Sequence, residues 1–265
     1  MLVLLPPSEG KAAAGSGAAL DLARLSLPEL TPARERVLES LVGLCAEPDG
    51  ERARELLGLS PGQGEEVARN ARLTRAPALP AGRLYTGVLY DALDLPTLAP
   101  AARRAAQRAV LVFSGLWGAV RLTDRIPPYR CPVGARLPGL GGLAAYWRRA
   151  MTGPLAEAAG RGLVLDLRSG AYGAMWQPSG PLAERTAAVR VLHEREVDGV
   201  PTRSVVSHFN KATKGRLLRD LLAAGARPRD PEQLVAALRD LKYTVEAEEP
   251  APGRPRRLDV VVTEL

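Results

Sequence analysis

The stretch SVVSHFNKATKGRLLRDLLAAG, residues 204–225, holds the reading of the fold. Its opening is apolar and β-branched at Val205 and Val206, and its second half repeats leucine at 217, 218, 221 and 222, the spacing of one helix face. A strand over 202–206 therefore runs through a tight turn into a helix over 210–224. Ser207 or Asn210 is placed to cap that helix, because either side chain can accept from an unpaired N–H of the first turn. Stepping back from Leu221 and Leu218 by three and four residues lands on Lys214 and Lys211, so both ammonium groups are expected to lean toward the protein. Cations at a helix N-terminus oppose the helix dipole, and a bound anion reverses that penalty. The chain has only four lysines against 32 arginines, and two of the four fall here.

On either side of this stretch, apolar runs mark strands at 2–5, 109–113, 162–167, 188–195, 241–246 and 258–264, and Asp198-Gly199 reads as a hairpin turn. Helical periodicity marks 32–45, 51–57, 64–71, 100–107, 141–159 and 231–240. The segment 246–257, rich in Glu, Pro and Arg, reads as a hairpin tip or a mobile loop. No repeat and no regular βαβ rhythm is present. The expectation is one α+β domain over 1–265, a mixed β-sheet surrounded by helices, with a helical insertion near residues 30–75.

The formal net charge of +7 and a pI near 9.8 favour an acidic partner, either nucleic acid or an anionic small molecule. Part of the arginine belongs to solvated helix faces such as PARERVLES, where Glu and Arg alternate. MLVLL runs into two prolines without a basic leader or cleavage site, so no signal peptide is read, and no apolar run reaches membrane-spanning length. Cys45, Cys131, His193 and His208 have no neighbour at metal-ligand spacing. No metal, no cofactor, no membrane and no obligate protein partner is expected, and the location is expected to be cytoplasmic with reduced thiols.

Four stretches carry candidate chemistry. PPSEGK ends the first strand and places Ser8, Glu9 and Lys11 on a loop at its carboxyl end, where sites in α/β sheets form. LVFSGLWGAVRLTDRIPPYR, residues 111–130, follows a strand with Ser114 and Trp117, then Arg121, Asp124, Tyr129 and Arg130. The two arginines suit bidentate phosphate binding, and Trp117 reads as core. DLRSGAYGAMW, with LYTG at 84–87, puts Ser169, Tyr172 and other hydroxyls beside glycines on loops that together can line a polar cleft. LSPGQGEEVARNARL, residues 59–73, fits the helix-hairpin-helix pattern at Pro61, Gly62, Gly64 and Ala68, a device that presents backbone amides to a DNA phosphate. Glu65 and Glu66 place carboxylates in the same turn.

These landmarks in this order, MLVLLPPSEGK, LYTG, SGLWG with PPYR, AYW, DLRSGAY and SHFNKATKG, resemble the YaaA family of peroxide-stress proteins over nearly the whole chain. The resemblance implies an unusual α+β fold, survival of hydrogen peroxide, low free iron, and binding of duplex DNA through a positively charged cleft. It implies Arg121, Tyr129, Arg130, Lys211 and Lys214 as cleft residues, and a helix-hairpin-helix counterpart at Pro61 to Ala68.

Two functions follow. The first is a non-enzymatic protein that binds double-stranded DNA without sequence specificity, through Lys11, Arg121, Tyr129, Arg130, Lys211 and Lys214, by counterion release. The second is an enzyme on a phosphorylated, nucleotide-like or other anionic small molecule, with Lys211 or Lys214 holding the anion and Asp124, Glu9 or Lys211 as candidate catalytic groups.

Overall fold

MLVLL forms β1 (Leu2–Leu5), four consecutive buried residues, the pattern of a strand covered on both faces. Seven more strands join it in one mixed sheet: β2 (Val110–Ser114), β3 (Gly118–Arg121), β4 (Val164–Asp166), β5 (Thr186–Val197), β6 (Val200–Ser204), β7 (Thr244–Ala247) and β8 (Arg256–Val262). The spatial order is β7-β8-β5-β4-β1-β2-β3, with β6 paired to β5 outside that path. The five strands from β8 to β2 run parallel, and antiparallel partners close the sheet at β3, β6 and β7. Register is fixed at the centre by Leu4, which stands opposite Leu111 on one side and Asp166 on the other. The computed structural model describes residues 1–14, 16–197 and 200–263, and within these not the side chains of residues 197, 200, 201, 207 and 208.

Around the sheet lie α1 (Thr31–Cys45), α2 (Glu51–Leu57), α3 (Gly64–Asn70), α4 (Ala81–Leu84), α5 (Val88–Leu93), α6 (Pro100–Ala109), α7 (Leu143–Ala159), α8 (Gly170–Gly173), α9 (Pro181–Glu184), α10 (Ser207–Ala223) and α11 (Pro231–Asp240). One continuous apolar core links sheet and helices, including α1 at Val37 and Leu41 and α10 at Leu217, Leu218 and Leu221. The fold is therefore a single mixed α/β body, as the mixture of strand and helix signals predicts. Helix α10 is pressed against α5: a Cβ on Gly215 would lie 2.2 Å from the Leu89 carbonyl oxygen. Gly118, with φ +71°, begins β3 where a Cβ would meet the Trp147 ring at 2.7 Å.

Several local expectations change. Helix α10 starts at 207, with extended Val206 as its N-cap and no side-chain cap, so Asn210 lies inside the first turn. The Ser207 and His208 side chains and the Asp198-Gly199 turn lie outside the described residues, as does residue 264 of the last expected strand. Residues 118–121, where no strand was expected, form the edge strand β3. At the expected hairpin, Pro61–Gln63 is a 3-10 turn between α2 and α3, held by the Ser60 amide donating to Gln63 Oε1 at 2.9 Å. Glu65 and Glu66 occupy the first turn of α3, and Arg69 pairs with Glu66 at 2.7 Å. Asn70, at the end of α3, is fully buried and exchanges two hydrogen bonds with the Arg130 backbone: Asn70 Nδ2 donates to its carbonyl at 2.7 Å, and its N–H donates to Asn70 Oδ1 at 3.0 Å. The helical segment thus positions Arg130.

Candidate functional site

The chain leaves β1 toward β2 and leaves β4 toward β5, although β1 and β4 are neighbours. Their following loops diverge, and in an open parallel sheet such a divergence leaves a crevice at the carboxyl ends of the strands. A cavity of about 740 Å³ lies there, within the range of small-molecule sites. The loop after β1 contributes Ser8, Glu9 and Lys11, the segment after β3 contributes Tyr129, Arg130 and Cys131, and the segment after β4 contributes Ser169 and, from α8, Gly170 and Tyr172. The first turns of α10 add Asn210, Lys211 and Lys214. Residues spread over 200 positions of sequence therefore meet because each follows, or leads into, an element whose end is fixed by the sheet.

Lys11 Nζ donates to the carbonyls of Ser8 at 2.9 Å and Glu9 at 3.4 Å and lies 4.5 Å from the centre of the Tyr129 ring, a cation–π contact. Burial, reinforced by the Arg130 charge, lowers its pKa from 10.5 to about 8, against the opposing pull of Glu66 and Glu9. Lys214, only 7% exposed, donates to the carbonyls of Leu167 at 3.1 Å and Arg168 at 3.3 Å. Burial brings it to about 8 as well, with Asp166 pulling the other way. That aspartate is itself engaged by Arg168 in an ion pair at 2.7 Å. An ammonium group has three N–H donors, so two bonds to carbonyls leave each lysine one donor for a ligand.

Arg130 Nη1 stands 3.1 Å from Glu9 Oε2, and that carboxylate is 81% exposed. Arg130 Nε is buried and has no hydrogen-bond partner among the described residues. Beneath Lys11, Tyr129 Oη lies 2.6 Å from Ser114 Oγ and 2.8 Å from Tyr85 Oη. Ser114 Oγ also accepts from the amides of Leu116 and Trp117, so a buried hydroxyl line fixes the Tyr129 ring. Burial pushes the Tyr129 phenol well above its ordinary value, so it stays protonated at neutral pH.

Of the residues singled out by sequence, Glu9, Lys11, Tyr129, Arg130, Lys211 and Lys214 come together here. Lys211 is exposed at the cavity wall instead of leaning inward. Arg121 and Asp124 are not among the lining residues. Arg121 belongs to β3 and its guanidinium donates to the Arg108 carbonyl. Asp124 is buried, accepting from the Arg121 amide at 2.8 Å and from Ser26 Oγ at 2.8 Å. Both close the turn after the edge strand. Pro61, Gly62, Gly64 and Ala68 do not line the cavity either. Sequence reasoning missed Leu89, Val189, Arg190 and Val205, which line it from α5, β5 and the approach to α10. Val205 is the one large apolar side chain exposed among the described residues, at 57%. An apolar residue two positions before a helix start was the available signal for it. Trp117 is fully buried core, as expected.

Among the described residues no helix is long and apolar enough to cross a membrane, and no group of three or more His, Cys, Asp or Glu side chains suits a metal ion.

The family model described as peroxide stress protein YaaA matches residues 1–249. A UPF0246 protein of Streptomyces coelicolor is 65% identical over 266 residues, covering 100% of both chains. A UPF0246 protein of Corynebacterium efficiens is 40% identical, covering 99% of this chain and 100% of its own. A Campylobacter jejuni protein described only as uncharacterized is 26% identical over 90% of each. The resemblance read from the motifs thus holds along the chain, which belongs to the YaaA family of peroxide stress proteins.

Proposed function

We propose that this protein serves the peroxide response, in the cytoplasm, through a site for a phosphorylated, nucleotide-sized molecule in the cavity between β1 and β4. The observation that carries this reading is convergence: Lys11, Arg130, Lys211 and Lys214 come from three separate segments to one partly enclosed cavity. Among the described residues no carboxylate lies within ion-pair distance of any of the three lysines, and Glu9 on Arg130 is an exposed partner that an incoming anion can replace. Lysines that titrate near 8 exchange protons readily at physiological pH, so Lys11 and Lys214 are suited both to hold an anion and to serve as acid or base. Glu9 supplies a carboxylate at the same rim. Asp124 drops out of the catalytic set because its oxygens are committed, one to the Arg121 amide of the turn and the other to the amide and hydroxyl of Ser26.

The test is thermal unfolding with a panel of nucleoside mono-, di- and triphosphates. Saturation at a hundredfold above Kd stabilises by about 2.7 kcal/mol, or roughly 5–10 °C for a chain of this size. Lys211→Ala, a change at an exposed side chain, should remove most of that rise without lowering the melting temperature of the free protein. No rise with any member of the panel counts against the reading.

A second reading, binding of duplex DNA without sequence specificity and protection of it from iron-dependent damage, is favoured by the net charge of +7 and by a surface groove lined by Arg69, Arg72 and Arg75 together with Glu65. It requires affinity for a short duplex to fall steeply with salt, with a log–log slope of about −0.9 per phosphate contacted. Enclosure of the lysines ranks it second: a duplex phosphate can reach Lys211, but Lys214 is buried.

A further inference from the structure

We infer that the cavity takes a molecule carrying two anionic groups set apart from one another, one held by Lys11 and Arg130 and the other by Lys211 and Lys214. This deepens the proposed function and rests on it. The cations form two pairs with different anchors. Lys11 is fastened to the carbonyls of the loop after β1, and Arg130 is fixed through its own backbone to Asn70 of α3. Lys214 is fastened to the carbonyls after β4, and Lys211 precedes it by three residues on the same helix, on the same face. The two buried lysines are held on different loops, Lys11 by the carbonyls of Ser8 and Glu9 after β1 and Lys214 by those of Leu167 and Arg168 after β4.

Each pair has donors to offer. Arg130 has a buried Nε with no partner among the described residues, and its Nη1 holds an exposed carboxylate that an incoming anion can displace. Lys211 and Lys214 lie in the second and third turns of α10, one helical turn apart, so their ammonium groups reach one region of the cavity wall. The same cavity also has apolar lining, including Pro7, Leu89 and Val205. Two cation pairs on separate anchors, with apolar wall in the same cavity, describe a ligand with an organic body and an anion at each extremity, the chemistry of a nucleoside bisphosphate or an α,ω-bisphosphorylated compound. A single inorganic phosphate uses one end only.

The experiment is calorimetric titration with methylphosphonate and with α,ω-alkanebisphosphonates of one to six methylenes. The expected result is an optimum at an intermediate spacer, at least about tenfold tighter than methylphosphonate. Lys211→Ala and Arg130→Ala, each checked for an unchanged melting temperature, should each return the best bisphosphonate to the methylphosphonate level. If one variant fails to fold, the other decides. Equal affinity for methylphosphonate and every bisphosphonate, or tightest binding with the shortest spacer, overturns the two-ended ligand and leaves the anion-binding function standing. Absence of binding by every phosphonate and by the nucleotide panel overturns both, and binding of a short duplex alongside that absence transfers the case to DNA.

Discussion

Lys214 Nζ lies 3.1 Å from the carbonyl oxygen of Leu167, so a buried ammonium ties the first turns of α10 to the carboxyl end of β4. That tie fixes the wall of the cavity, and it carries a cost, because burial lowers the pKa of the group from 10.5 to about 8.

Between those two values the unfolded chain holds a proton on Lys214 that the folded chain has released. Stability contributed at this site therefore rises with pH from about 8 to about 10. Cys45 and Cys131, whose thiols burial pushes up to about 11 and about 12, act in the opposite direction above pH 9. The clean measurement is a difference. Wild type should gain on Lys214→Met between pH 7.5 and 9.5, by an amount on the order of 2 kcal/mol at most. Denaturant unfolding at several pH values checks this; a constant difference shows that Lys214 stays charged throughout.

Glu9 competes with ligand for Arg130. Its carboxylate is 81% exposed, so the pair adds little to stability, and Glu9→Gln should leave the melting temperature within about 2 °C of wild type. The same change should tighten nucleotide binding by about three- to tenfold, since no carboxylate then has to be displaced. Calorimetry on the two proteins measures it, and weaker binding by the variant identifies Glu9 as a ligand contact.

Gly215 lets α10 approach α5 closely enough to aim both lysines at the cavity. A Cβ there would fall 2.2 Å from the Leu89 carbonyl and 3.0 Å from the Leu93 amide, and backbone atoms cannot turn aside as a side chain can. Gly215→Ala should cost about 2–3 kcal/mol despite the better helix propensity of alanine, and should weaken anion binding in the same protein. Unfolding and titration together check it.

Much of this architecture was legible in the sequence. MLVLL and VLVFS are continuous apolar runs that only a strand covered on both faces requires, and the leucine repeat at 217–222 sets the face of α10 correctly. The segments at 8–11, 169–172 and 210–214 do meet. Parallel pairing was not legible, because a buried strand reads the same whichever neighbour it has. Strand β3 was missed because its four residues follow a glycine turn and lack alternation, and with it went Arg121 and Asp124, whose polar groups serve backbone around that edge. Lys211 and Lys214 share a helix face, yet only Lys214 is buried. Three residues along a helix are enough to pass from core to rim.

Tyr129→Phe separates support from binding. Removing the hydroxyl leaves Ser114 Oγ and Tyr85 Oη without their shared partner in a buried site, a loss of about 1–3 kcal/mol. The ring remains beneath Lys11, so nucleotide affinity should change less than twofold. A large loss of affinity at preserved fold assigns the hydroxyl to the ligand instead.

The most direct measurement is a crystal structure grown with a saturating nucleoside diphosphate. The expected density has a phosphate within hydrogen-bonding distance of Lys214 Nζ or Lys11 Nζ, with Glu9 moved away from Arg130. A cavity free of nucleotide at that concentration, with Glu9 still on Arg130, would refute the anion site between β1 and β4.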